Sequence, residues 1–135
     1  MTAHYNSQFA PIQDLLASNK NLQHVQANLS EEDAVVAMFE SLATMPHGPV
    51  QVLVVNHAIS SSVDIPIARM TLDQWNVTIT TNLTSSFLVC REYLKHLQNA
   101  DTDVKEKAAI VLIGSTAGKY GEAGNGDYAA TKSGQ

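Results

Sequence analysis

A single cysteine, Cys90, stands in 135 residues, which excludes a disulfide framework; with no CxxC pair there is no thiolate site for zinc either. Long apolar runs are also missing. The longest, such as Ala108 to Ile113, fall far short of the roughly 20 residues a membrane-spanning helix needs. The opening residues, MTAHYNSQFAP, lack a basic segment followed by an apolar one, so no secretory leader is expected and a cytoplasmic location is. Positive charge is in the minority. With 8 Lys plus Arg against 13 Asp plus Glu, the formal charge of −5 argues against nucleic acid as a partner and for a small molecule or another protein. His4, His24, His47 and His96 are scattered with neither HxxxH nor a carboxylate at ligand spacing, so surface positions and no metal site are expected.

What is present is a chain of one domain's length, 44% hydrophobic and 16% charged, whose apolar period changes in a regular order. Ala10 to Ser18 places Ile12, Leu15 and Leu16 on one helical face. Leu22 to Leu29 reads as a short strand. Ser30 followed by Asp33 approximates a capping box for a helix that buries Val35, Met38, Phe39 and Leu42. Pro46, Gly48 and Pro49 end that helix and open Val50 to Val55, a β-branched run expected to be a central strand buried on both faces. Thr71 with Gln74 starts a long helix reaching about Leu97, with Trp75, Ile79, Leu83, Phe87 and Leu94 at helical steps. A polar loop from Asn99 to Lys107 leads to Ala108 to Ile113, a second strand expected to be fully buried. A glycine-rich loop follows, then a last helix beginning near Asp127. Strands alternating with helices imply βαβ units and a parallel sheet, hence an α/β fold.

The sharpest chemical feature is Tyr128-Ala129-Ala130-Thr131-Lys132, with Ser115 thirteen residues before the tyrosine. On a helix, positions i and i+4 share a face, so the Lys132 ammonium sits near the Tyr128 phenol. A free phenol is only about 0.1% ionised at pH 7, and a neighbouring cation favours the anion. Ser115 lies just beyond the carboxyl end of the second buried strand, where open α/β sheets bind ligands. Its hydroxyl can hold a carbonyl oxygen while Tyr128 gives or takes a proton. A bare YxxxK is common by chance; the context gives it meaning. Gly124-Asn125-Gly126-Asp127-Tyr128-Ala129 also matches GxGxxA, but it follows its strand at a distance and has no later acid, so it reads as a loop over a substrate pocket rather than a dinucleotide fingerprint. Cys90, beside Leu88, Val89 and Leu94, reads as an inert core residue.

With Ser115, the Gly114 to Gly126 loop, Asn82 and Asn56-His57-Ala58 in this order, the chain from about Leu22 onward resembles the short-chain dehydrogenase/reductase family. The resemblance implies a partial Rossmann-like three-layer fold, in which parallel strands corresponding to family strands 3, 4 and 5 are flanked by helices. It implies NAD or NADP as cofactor, without choosing between them, and hydride transfer between an alcohol and a ketone. It assigns Tyr128 as general acid/base and Lys132 as the residue that favours the phenolate and holds the nicotinamide ribose. Ser115 would orient the substrate oxygen, and Asn82 would support a water-linked proton relay. Asn82 lies among Thr78, Thr80, Thr81, Thr84, Ser85 and Ser86, a stretch of poor helix formers.

Asn56, His57 and Ala58 resemble the family's Asn-Asn-Ala-Gly turn on the adenosine side of the cofactor, and Asn28 stands where the family has an Asp facing adenine. His57 replaces the second Asn and can still donate and accept hydrogen bonds. Ile59 replaces Gly, so a positive φ there would be strained. In the family, helices matching Thr71 to Leu97 and Asp127 onward form subunit interfaces, so a homo-oligomer through them is expected. Nothing before Ala10 is expected to supply the family's opening strand, TGxxxGxG loop and helix. Residues 1–135 therefore read as one partial domain missing the strands that join the third to the fourth. Lys132, close to the last residue, is expected to fray from Tyr128. The sequence thus carries two readings: an NAD(P)-dependent oxidoreductase whose truncated chain is inactive alone, or a non-catalytic protein, either a truncated fragment or an oligomerising pseudoenzyme.

Overall fold

The structure is a computed structural model that describes residues Met1–Gln135. The elements run β1 (Thr2–Tyr5), α1 (Ala10–Ser18), β2 (Gln23–Gln26), α2 (Glu32–Thr44), β3 (Val52–Val55), a 3-10 turn (Ile67–Arg69), α3 (Leu72–Thr78), a π turn (Ile79–Thr84), α4 (Ser85–Gln98), α5 (Thr102–Lys105), β4 (Ala109–Leu112), α6 (Thr116–Tyr120) and α7 (Gly126–Gly134). Strands and helices alternate and every strand pair is parallel, giving the α/β, partial Rossmann-like fold.

The strands form two separate two-stranded sheets, β1 with β2 and β3 with β4. β1 is a strand before Ala10, where none was expected, although no TGxxxGxG loop accompanies it. Its four residues are too short and too polar for a periodicity signal, yet they pair along their whole length, Thr2 with Gln23 through Tyr5 with Gln26. Tyr5, Phe9 and His24 pack their rings at tilted angles around this pair, and the His4 ring meets the Ala27 carbonyl at 2.9 Å.

One core joins the two sheets. Ala27, Leu29, Val35, Met38, Phe39 and Leu42 from the β2–α2 unit pack with Val55, Leu88, Val89 and Tyr93 from β3 and α4. The ion pair Arg91–Glu32 at 2.6 Å closes the α2–α4 contact at the surface, and Tyr93 donates to the Gln51 carbonyl at 2.6 Å below β3.

Three expectations change here. β3 and β4 are not buried on both faces: Leu53 and Val55 meet the core while Val52 and Val54 are more than half exposed, and all four residues of β4 are exposed. The apolar run is right for a two-sided strand, but α4 covers only one side of β3. The long helix is three elements, and its buried stripe is Leu88, Val89, Glu92 and Tyr93, whereas Phe87 and Leu94 face outward. Helical spacing finds an apolar stripe; it does not say which of two neighbouring stripes meets the sheet. α2 begins at Glu32 with no side-chain cap, so Ser30 does not cap it, although Thr71 caps α3 as expected, accepting from the Gln74 amide at 3.1 Å.

Candidate active site

The site begins at the carboxyl end of β4. Ser115 caps α6, its Oγ accepting from the Ala117 amide at 3.2 Å. From α7, the Lys132 ammonium donates to the Ile113 carbonyl at 2.6 Å, two residues before Ser115. The two helices are pressed together: a Cβ on Gly118 would stand 2.5 Å from the Lys132 carbonyl oxygen, so only glycine permits this crossing. Tyr128 is half-buried one turn before Lys132 on the same face of α7. The expected fraying of Lys132 does not occur. The residue is 8% exposed and anchored by contacts to β4 and α6, because tertiary packing, not helix length, fixes this end. Burial pushes its amine below the ordinary lysine value.

Asn82 sits in the π turn, fully buried. Its Oδ1 accepts from the Ile59 amide and its Nδ2 donates to the Ile59 carbonyl, both at 2.8 Å, with a longer contact of 3.3 Å to Thr131 Oγ1 on α7. The side chain is therefore a clamp between the loop after β3 and α7. Its carbonyl accepts from the Ser86 hydroxyl at 2.6 Å and from the Gln135 side chain at 3.1 Å. The poor helix formers around Asn82 mark the place where the helix widens by one residue per turn. Ile59 has negative φ, so the strain expected at the lost glycine does not arise.

His57 follows β3 and lies between sheet and helix. Its Nε2 meets Ser85 Oγ at 2.5 Å, and that hydroxyl donates its one hydrogen to the Thr81 carbonyl, so the ring carries its proton on Nε2. Burial, with His4 and Lys132 as positive neighbours, pushes its pKa down to about 4. Asn56 and Ala58 flank it at the exposed rim. Asn28 stands apart at the end of β2, where its Oδ1 accepts from the Ser30 amide at 3.1 Å and it lines a shallow cavity with Val25, Ala27 and Met38. The glycine-rich loop is tied to the segment after β3: Gly124, at φ 81°, accepts from the Ile65 amide at 2.8 Å, and Asn125 donates to Asp64 at 3.4 Å.

Residues 3–135 match the model of the short chain dehydrogenase family. The chain belongs to the short-chain dehydrogenase family. Family membership thus extends through β1, well before the Leu22 boundary read from the motifs. Among its relatives is the 3-oxoacyl-[acyl-carrier-protein] reductase MabA of Mycobacterium tuberculosis, 31% identical over 115 residues that cover 85% of this chain and 43% of the relative. The corresponding FabG of Salmonella typhimurium is 31% identical over 123 residues, covering 91% of this chain and 46% of the relative. An oxidoreductase of Escherichia coli, YgfF, is 34% identical over 111 residues, covering 80% and 42%. The chain spans less than half the length of these relatives.

Within this short-chain dehydrogenase chain, Ser115, Lys132, Asn82 and His57 gather around the junction of β4, α6, α7 and the π turn; Asn28 does not join them. Sequence reasoning missed Asp127. Its carboxylate is 1% exposed and accepts from Thr78 Oγ1 at 2.7 Å, the Tyr128 amide at 2.9 Å and Gln74 Nε2 at 3.3 Å. Burial pushes its pKa up, but these hydrogen bonds outweigh it and hold the acid below its ordinary value. An acid in the first turn of a helix is the one signal that pointed to it. Thr131, Ser85 and Gln135 carried no such signal: the contacts that tie them to Asn82 and His57 reach 49, 28 and 53 residues along the chain. His57, with its pKa at about 4, is neutral at pH 7, which leaves Lys132 as the cation beside it.

Proposed function

We propose that Ser115, Tyr128 and Lys132 form the proton-transfer end of an oxidoreductase that interconverts an alcohol and a ketone, with NAD or NADP, the cofactors of this family, as hydride carrier. The observation that carries the reading is the Lys132 ammonium held at the carboxyl end of β4, beside Ser115 and one turn from Tyr128. In this arrangement the Ser115 hydroxyl donates to the substrate oxygen, and Tyr128 delivers a proton to that oxygen in reduction or removes it in oxidation. Lys132 stabilises the phenolate and offers an N–H to the ribose of the bound nicotinamide. The cofactor supplies or accepts the hydride. Asn56, His57 and Ala58 border its adenosine side, and Asn28 extends that border in weaker form. Asn82 acts as the clamp on Thr131 and Ile59, with its carbonyl as the polar link toward Lys132.

Two of the relatives, MabA and FabG, are 3-oxoacyl-[acyl-carrier-protein] reductases, so a short 3-oxoacyl thioester is the first substrate to test. Purified protein is mixed with NADPH or NADH, and cofactor fluorescence and its oxidation by acetoacetyl-CoA are followed. Binding with turnover that Tyr128→Phe abolishes supports the reading. Failure of both cofactors to bind overturns it for this chain and leaves the second reading, a non-catalytic member that associates with a further copy. That reading is favoured by one observation: Val77, Phe87 and Leu94 are about half exposed along α3 and α4, the helices expected to meet a partner.

A further inference from the structure

Lys132 has no acidic partner. The ion pairs of the chain join Arg91 to Glu32 and Glu92, and Lys95 to Glu92, all away from this helix. Two of its three N–H groups are nevertheless occupied. One meets the Ile113 carbonyl at 2.6 Å, and the other meets Gln135 Oε1 at 2.8 Å. The far end of the same amide donates to the Asn82 carbonyl at 3.1 Å and to Ser86 Oγ at 2.8 Å. A primary amide presents one acceptor and two donors in a plane, and here all three functions are used. Gln135 therefore spans the distance between the lysine ammonium and the main chain of the π turn.

We propose that Gln135 is a positioning residue that holds the Lys132 ammonium at the end of β4, leaving one N–H for the ligand on which Tyr128 works. The inference rests on the functional reading above for its purpose, but not for its test. The amide oxygen stabilises the ammonium without neutralising it, which suits a lysine that must remain a cation in a buried place. It also couples Lys132 to Asn82, so the residue that clamps Ile59 and the residue that meets the ligand move together. The titratable groups on the surrounding elements are His57 after β3, Asp73 on α3, Cys90 one turn beyond Ser86 on α4, Lys119 and Tyr120 on α6, and Asp127 and Tyr128 on α7; the π turn and β4 carry none.

The test is an NMR titration of the Lys132 amine in protein carrying 15N-labelled lysine, assigned with Lys132→Arg. Gln135→Met keeps the length of the side chain and removes the acceptor, so the amine is expected to titrate about one pH unit lower than in the unaltered protein. Gln135→Glu supplies an anion at the same place and is expected to raise it by a similar amount. A merely loosened helix end behaves differently, because both variants would then drift upward toward the ordinary lysine value. Opposite displacements support the inference; no displacement, or upward displacement in both, overturns it. In protein that binds NADPH, Gln135→Met is also expected to weaken that binding about tenfold. A displaced titration in protein that binds neither NADPH nor NADH overturns the functional reading while leaving the placement of Lys132 by Gln135 standing.

Discussion

Asp127 offers the most direct way to ask whether Tyr128 is held by the network around α7. Replacing it with alanine strands the Thr78 hydroxyl and the Tyr128 amide, which now donate to the carboxylate at 2.7 and 2.9 Å in a place only 1% exposed. A buried donor without an acceptor costs about 1–3 kcal/mol, and the Tyr128 amide, in a first turn, belongs at the lower end, so about 3 kcal/mol is expected for Asp127→Ala. For a domain of this size that corresponds to a fall of roughly 10 °C in Tm. Because the hydrogen bonds hold the folded-state pKa below the unfolded value of about 3.9, the contribution is fully present above about pH 4. It is lost as the pH falls through the folded-state value. The assay is urea unfolding of the unaltered protein, Asp127→Ala and Asp127→Asn between pH 2.5 and 7. The gap between the unaltered protein and Asp127→Ala should be constant above about pH 5 and narrow in acid. A gap that widens in acid, or an Asp127→Ala variant as stable as the unaltered protein at pH 7, would refute the reasoning.

His57 gives a second pH window, centred above the first. Its folded-state pKa of about 4 lies below the unfolded value of about 6.5, so folding stability should rise with pH between these limits and level off above them; an imidazole NMR titration centred near 6.5 would contradict this. Asn82→Ala leaves both polar groups of the Ile59 peptide without their partner and is expected to cost about 2–4 kcal/mol in urea unfolding, whereas a loss under about 0.5 kcal/mol would show that water replaces the clamp. Gly118→Ala forces α6 from α7, since its Cβ would stand 2.5 Å from the Lys132 carbonyl oxygen; a loss of more than about 2 kcal/mol is expected, and an unchanged melting curve would mean that the crossing yields freely. Phe87→Glu on the outward stripe of α4 should leave the unfolding midpoint within about 0.5 kcal/mol while lowering any self-association seen by sedimentation; association that persists would place the interface elsewhere.

The legible part of the fold was the part encoded locally. Helical periodicity placed α1 at its observed bounds, and the β-branched run at Val50–Val55 announced a strand. The cap at Thr71 could be read because its partner, Gln74, is three residues away. Burial could not be read in this way. Val52 and Val54 have the composition of a buried strand, but whether a strand face is covered depends on which helices reach it, and that is set by elements far along the chain. β1 was hidden for the opposite reason: Thr2, Ala3, His4 and Tyr5 become a strand through their pairing with β2, not through any pattern of their own.

The candidate site divides along the same line. Tyr128 and Lys132 are four residues apart on one helix, so their shared face follows from helix geometry alone, and Ser115 follows from the end of a strand. Most of the residues that hold them in place come from elsewhere in the chain: Ile113, Gly118, Thr78 and Asn82 meet α7 or Lys132 from outside that helix, and Gln135 meets Lys132 from the end of α7 itself. Asn82 shows the limit most clearly. Its poor helical surroundings signalled an irregular helix, and the π turn is that irregularity. Its side chain, however, is spent on Ile59 and Thr131, so its link to Lys132 runs through its own carbonyl and the amide of Gln135. A substitution of the Asn82 side chain should therefore act first on stability and only through α7 on any activity, and the ratio of those two losses separates a clamp from a proton carrier.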